Sequence, residues 1–319
     1  LTIQLKKSLH QSFFLKQEAQ VTDEMINLYH QGIADNNLED FAASIAPHHS
    51  DQFTIHFTHD IDWLNPWHPY SIIKSLRSIA GKQTWLSLKQ LKHHDLFLNN
   101  IEKLLSIESR YNIRATYCIG ATSGKQLGRY DIRYSLENKL AQELISLLQS
   151  QQQLIGLQSS YHAHRADTLV SQATLLANNT HKPIPAHRSH YLNAPPALLY
   201  PQLEEAGILY DFGYGSSRSV GFKNRFPGKF RPIDPQTGNV FNLTVIPLIL
   251  MDNVFFYSSG QQVMEQFKRT LDQLQRYNGT ACISFHPENM ILKPKLYDYF
   301  EEIIHICKQA GANIATPLS

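Results

Sequence analysis

The chain has 319 residues, 42% of them hydrophobic and 18% charged, with 29 Lys and Arg against 27 Asp and Glu for a formal net charge of +2. Such a chain can bury a large core and does not read as disordered, and its even charge offers no basic face for a nucleic acid. No stretch stays apolar for the length of a bilayer crossing, so no transmembrane segment is expected.

The first residues, Leu1 to Lys7, lack a long apolar core followed by small residues. That predicts no signal peptide and a cytoplasmic location, an expectation that a leader ahead of Leu1 would reverse. Cys118, Cys282 and Cys307 are odd in number, and each lies in or beside an apolar run. This is the pattern of buried thiols in a reducing compartment, with no disulfide framework.

Residues 1–50 carry scattered polar residues and a helical pattern around Thr22 to Gly32, and read as an N-terminal helical extension ending near Pro47-His48-His49. Residues 51–319 read as one α/β unit. Strand-like runs recur at Phe53–Phe57, Ala115–Ile119, Leu154–Leu157, Pro185–Arg188, Val245–Leu250, Ala281–Phe285 and Asn313–Thr316, with a weaker one at Ile208–Tyr210. Between them lie helical stripes: Leu136, Leu140, Leu144, Leu147 and Leu148, with Ser135 as the cap, then Val263, Phe267, Leu271 and Leu274. A last stripe, Tyr297, Phe300, Ile303, Ile304 and Cys307, ends at Gly311. Strands alternating with amphipathic helices argue for a parallel sheet, and seven or eight repeats argue for its closure. The expected fold is a distorted (β/α) barrel with about seven parallel strands.

Chemistry-bearing residues gather where these runs end. The first run stops at His59, Asp60 and Asp62, and the third leads into Gln158-Ser159-Ser160-Tyr161-His162-Ala163-His164. The fourth ends in Arg188, His190 and Tyr191, and the later ones in Asp211, in Asp252, and in His286, Glu288 and Asn289. In a barrel these converge on one mouth. Carboxylates and imidazoles there suit metal-assisted hydrolysis. A divalent ion such as zinc takes nitrogen and oxygen ligands, keeps a position for water and lowers the pKa of that water to about 7. A nearby carboxylate can take the proton, and an imidazole opposite can protonate the leaving group.

From about Phe53 to the C-terminus, the order of these motifs resembles a divergent bacterial polysaccharide deacetylase of the carbohydrate esterase family 4 type. The first motif is Thr58-His59-Asp60-Ile61-Asp62, and the resemblance implies that Asp60 is the general base and Asp62 a metal ligand. The second is Ile155-Gly156-Leu157-Gln158-Ser159-Ser160-Tyr161-His162. Here Gln158 stands where the family has its first metal-binding histidine, while His162 keeps the second, and His164 or His59 could supply a replacement nitrogen. Glutamine is a neutral oxygen ligand that suits zinc poorly. The third motif is Arg188-Ser189-His190-Tyr191-Leu192, whose arginine would hold the catalytic carboxylate by a bidentate pair. Leu203 to Phe212 matches the stretch in which a strand ends in Asp211, and Pro247 to Asp252 and Ser284-Phe285-His286-Pro287 match the later motifs, with His286 as general acid. His59, Tyr161, His190, Tyr191, Trp63 and Asp252 are the expected substrate contacts.

Several of these residues also have plainer readings. Arg188 could bridge core carboxylates, and Asp211 could cap a turn before Gly213. His162 alone could be a hydrogen-bonded histidine with no metal. Trp63, Trp67 and Tyr70 suit stacking on sugar rings, yet the Trp-x-x-x-Trp stretch, with Pro66 and Pro69 beside it, equally suits a packed loop. His48-His49 and His93-His94 read as solvated surface, with a separate metal site as the alternative. The expected function is a hydrolase removing an acyl group from an N- or O-acylated sugar by metal-activated water. A related reading attacks another C–N bond without metal, as some relatives of the family do on cyclic amides. The alternative is a catalytically inactive glycan-binding or scaffold protein that keeps the barrel.

Overall fold

The structure is a computed structural model describing Ala46–Pro47, 52–64, 96–122, 132, 134–166, 168–223, 227–232, 237 and 239–318. The helical pattern at Thr22 to Gly32, the paired histidines and Trp67 and Tyr70 lie outside these residues.

Among the described residues, eleven strands form one curled sheet: β1 Ala46–Pro47, β2 Thr54–Ile61, β3 Thr116–Gly120, β4 Leu154–Ser159, β5 Ala186–Ser189, β6 Tyr210–Asp211, β7 Phe230–Arg231, β8 Thr244–Val245, β9 Leu248–Met251, β10 Thr280–Ser284 and β11 Asn313–Ile314. The order is β1-β7-β8-β6-β5-β4-β3-β2-β10-β9, with β11 beside β2. All pairings are parallel except β1 with β7 and β7 with β8. The segment after β6 meets β9 through a parallel bridge between Gly215 and Leu248. That bridge brings the far side of the sheet round to β9, so β2, β3, β4, β5, β6, β9 and β10 make the seven-stranded parallel barrel that the alternating pattern predicts. The closure needs glycine, because a Cβ at 215 would run into the Leu248 carbonyl oxygen.

β2 is buried along all eight of its residues, as expected of a parallel strand covered on both faces. It also runs past the histidine where the apolar pattern stops, because β3 pairs it as far as Ile61. β10 pairs Thr54 to Thr58, β11 takes Thr54 and Ile55, and β3 takes Thr58 to Ile61. Asp60 is therefore held inside a strand. The Val245–Leu250 run divides at Pro247 into β8 and β9, since proline cannot donate to a ladder. β1 and β7, two residues each, carry too little pattern to be seen in the sequence.

The helices cover the outer face: α1 Leu96–Arg110, α2 Lys139–Ser150, α3 Ala163–Ala166, α4 Leu169–Thr180, α5 Pro196–Glu205, α6 Gly260–Arg276, α7 Pro287–Leu292 and α8 Lys295–Gln309. α6 buries Val263, Met264, Phe267, Leu271 and Leu274 and begins with a capping box between Ser259 and Gln262. α2 is capped by Asn138, whose side chain accepts from the Leu140 N–H, and not by Ser135. Ser135 is drawn into a bridge with Thr122, which leaves Leu136 ahead of the helix. α8 ends before Gly311, whose φ of 77° is the left-handed stop expected there. None of the described helices is long and apolar enough to cross a membrane.

Candidate active site

Side chains alternate across a strand, and this sorts the residues of the first motif. In β2, Asp60 faces the barrel interior, and Asp62 follows it at the mouth. His59 faces the helices, fully buried, with Nε2 2.8 Å from Glu108 Oε1 of α1 and Nδ1 2.9 Å from the Phe285 carbonyl. Tyr117 Oη donates to the other Glu108 oxygen at 2.9 Å. His59 is thus part of a buried outer-face network and not a substrate contact. A one-residue step along a strand reverses the face.

Asp60 is buried and held by Arg188, whose Nη1 donates to Asp60 Oδ1 at 2.7 Å and to Ser284 Oγ at 2.8 Å. The guanidinium also donates from Nε to the Phe212 carbonyl at 3.1 Å and from Nη2 to Cys282 Sγ at 3.5 Å. The expected bidentate pair is therefore a single bond, because the fork is spread over β2, β10 and the segment after β6. Asp60 Oδ2 is left facing His286 Nε2 at 3.8 Å.

His286 leaves the end of β10 and is gripped by Asp252, at the start of the 3-10 turn Asp252–Phe256 after β9. His286 Nδ1 lies 2.6 Å from Asp252 Oδ1, and its backbone N–H donates to Asp252 Oδ2 at 3.0 Å. Asn289 Nδ2 donates to the same oxygen at 3.0 Å. Burial alone would lower the His286 pKa, but the Asp252 carboxylate, backed by Asp62 and Asp60, raises it from 6.5 to about 10. Asp252 is fully buried, so it positions and charges His286 and does not contact substrate.

Asp62, half-buried, accepts from Gln158 Nε2 at 2.6 Å on Oδ1, with His190 Nε2 3.4 Å from the same atom and His286 Nε2 3.9 Å from Oδ2. Burial would raise its pKa, but the two imidazoles outweigh it and hold the carboxyl well below its usual range. Glu288 of α7 was not among the expected site residues. Its Oε1 accepts the Trp63 N–H at 2.8 Å, and burial, with the Asp62 charge adding to it, pushes its pKa up to about 8.

Asp60, Asp62, Trp63, Gln158, His190, Tyr191 and His286 line one cavity of about 200 Å³. Tyr191 and Leu192 take left-handed φ of 59° and 55° in the turn after β5, a costly conformation for two adjacent residues and one found where a site dictates the backbone. Tyr161 meets Tyr191 edge-on at 5.8 Å, behind the cavity wall. Tyr257, 69% exposed, extends the aromatic rim.

Other expected site residues lie elsewhere. His162 packs edge-on against Tyr161 at 4.7 Å, and His164 is buried in α3; neither lines the cavity. Asp211 shares the outward face of His187, with its Oδ1 2.8 Å from His187 Nδ1, and His187 Nε2 lies 2.8 Å from Ser159 Oγ. It lines a second cavity, beside α5.

The donor set expected for zinc was Asp62, His162, Gln158 and His164. Only Asp62 and Gln158 meet in the cavity, and there the glutamine presents its N–H to the carboxylate while its Oε1 is buried without a partner. Among the described residues, no three His, Cys, Asp or Glu are grouped to hold a metal ion. As placed, these residues do not fit zinc. Equilibrium dialysis against zinc is expected to leave wild type with far less than about one equivalent bound; tight stoichiometric binding that Asp62→Ala abolishes would contradict this.

No protein-family model and no curated protein sequence matches the chain. Among solved structures, a Mycobacterium smegmatis protein assigned to the polysaccharide deacetylases aligns over 86% of this chain and 91% of its own, with TM-score 0.55 and 17% identity. A family 4 carbohydrate esterase from Streptomyces lividans, in complex with acetate, aligns over 85% and 96% with TM-score 0.40 and 10% identity. A family 4 pseudoenzyme from Bacillus anthracis aligns over 83% and 64% with TM-score 0.45 and 9% identity. With its curled, mostly parallel barrel matching the first of these along most of both chains, the protein has the polysaccharide deacetylase fold.

Proposed function

We propose that this protein is a hydrolase that removes an acyl group from an N- or O-acylated sugar, using Asp60 as general base and His286 as general acid. The observation that carries the reading is the approach of Asp60 Oδ2 to within 3.8 Å of His286 Nε2 in one cavity, with Asp252 fixing the far side of the imidazole. A carboxylate and a protonated imidazole on either side of one space suit acyl transfer to water. Asp60 takes a proton from the attacking water, and a tetrahedral centre forms at the acyl carbon. His286 then gives its proton to the departing amine or alkoxide. Trp63, Tyr191 and Tyr257 around the opening offer ring faces of the kind sugars stack on.

A metal-activated water, as the family resemblance implies, would require Asp62 to exchange Gln158 for an ion and His162 to reach the cavity. The residues assembled there support acid–base chemistry without that step. His190, on the same wall, offers an N–H group to the oxyanion while His286 keeps its proton for the leaving group. The Gln158 bond to Asp62 also favours a second reading, a glycan-binding protein that has lost hydrolysis. One assay separates them: release of acetate from N- and O-acetylated sugars by wild type, with glycan binding measured on the same preparation. Binding without release selects the second reading, and release that persists in a His286→Ala variant sinks the first.

The Asp252–His286 pair sets a pH signature. Because the folded value of His286 lies above the ordinary 6.5, the pair adds stability that is complete below about pH 6.5 and is lost as pH rises through about 10. Hydrolysis is expected to hold until His286 loses its proton near pH 10. In Asp252→Asn that basic limb should move toward the ordinary histidine value, with the rate at pH 9 falling by about tenfold or more. An unmoved limb would remove His286 from the role of acid.

A further inference from the structure

We infer that the substrate carries an anionic group, phosphate or carboxylate, close to its acylated position, and that Arg218 recognises it. The inference rests on the reading above that the cavity takes an acylated sugar. It starts from the charges of the cavity wall. Asp60 is matched by Arg188, and Asp62 by Gln158, His190 and His286, so both carboxylates on the floor are already compensated. Arg218 lines the same cavity, is exposed, and makes no side-chain hydrogen bond or ion pair among the described residues. Its backbone is fixed: Ser216 Oγ accepts from the N–H groups of Arg218 at 3.1 Å and of Ser219 at 3.2 Å. The guanidinium thus springs from a formed turn, with Ser217 beside it on the wall.

The same segment carries Lys223 into the second cavity, where its Nζ lies 5.1 Å from the Tyr214 ring centroid. The two cavities share Ser189 and Leu192, and the buried Ser189 Oγ has no hydrogen-bond partner. An unsatisfied hydroxyl thus sits where the space lined by Arg218 adjoins the second cavity. A neutral sugar in the first cavity would offer Arg218 nothing ionic. A phosphate or carboxylate would accept the guanidinium's fork of N–H donors.

The test is calorimetric titration of the whole chain with three probes: N-acetylglucosamine, its 1-phosphate, and 2-acetamido-2-deoxyglucuronate. Wild type is expected to bind one or both anionic probes about tenfold more tightly than the neutral one, with the advantage shrinking as salt rises. Comparing the two anions tells phosphate from carboxylate. Arg218→Ala should bring the anionic probes to within about twofold of the neutral one measured on the same variant, and Arg218→Lys should recover part of the difference. Equal wild-type affinities, a preference that survives Arg218→Ala, or no binding of any probe would each overturn the inference. Because the readout is binding, an Arg218-dependent preference without acetate release would keep this inference and sink the hydrolase reading alone.

Discussion

Replacing Asp60 by asparagine is expected to lower kcat for acyl-sugar hydrolysis by about 10²–10⁴-fold with little change in KM. Asparagine has nearly the shape of aspartate, and its Oδ1 can still accept from Arg188 Nη1, so the cavity keeps its outline. What goes is the carboxylate oxygen that lies 3.8 Å from His286 Nε2. If Asp60 is the general base proposed above, the loss should be one of rate and not of binding, because the base acts on the water and the walls would hold the sugar. Rates must be compared well below the melting temperature, since the variant leaves the Arg188 charge buried with neutral acceptors only. A variant that is folded by circular dichroism and keeps more than about a third of wild-type kcat would place the base elsewhere.

The second large effect concerns stability. Arg188 is fully buried, and its bonds to Asp60, Ser284, the Phe212 carbonyl and Cys282 tie β5 to β2, to β10 and to the segment after β6 through the middle of the barrel. Arg188→Met keeps the side-chain length and removes the charge, leaving the Asp60 carboxylate buried without its partner. Breaking a buried pair from one side costs about 3–5 kcal/mol, much more than losing an exposed pair such as Arg110 with Glu301. Denaturant unfolding should show that loss as a lower midpoint at an unchanged slope. The double variant Asp60→Asn with Arg188→Met should be more stable than the sum of the single changes predicts, because each exposes the charge that the other removes. Strict additivity, or a cost below about 1 kcal/mol, would mean that the pair is not what holds the interior together.

The contrast between His59 and Asp60 shows how far a motif can be read. Both belong to one short acidic stretch, and the family resemblance treats that stretch as a unit. Yet period-two alternation already puts neighbours on opposite faces, and the buried strand run gave reason to apply it through His59. Asp252 is different. It lies 34 residues from His286, and nothing local announces that its carboxylate grips that imidazole from behind. Glu108 was likewise silent, inside an amphipathic helix, while Glu288 was visible at a strand end but gave no sign of its bond to the Trp63 N–H.

The sequence by itself determined the parallel barrel, the alternation of strands and helices from about residue 53 onward, and the gathering of Asp60, Asp62, Arg188, His190 and His286 at strand ends. These follow from local periodicity and from the rule that loops at strand termini carry chemistry, both of which act over a few residues. The tertiary structure alone decided which of the gathered residues meet. Asp62 is bonded to Gln158, 96 positions away, while His162 lies outside the cavity. Arg188 spends one bond and not two on Asp60, 128 positions away. Such contacts depend on strand register and on the closure at Gly215, and a shift of one residue in either would turn each side chain to the other face.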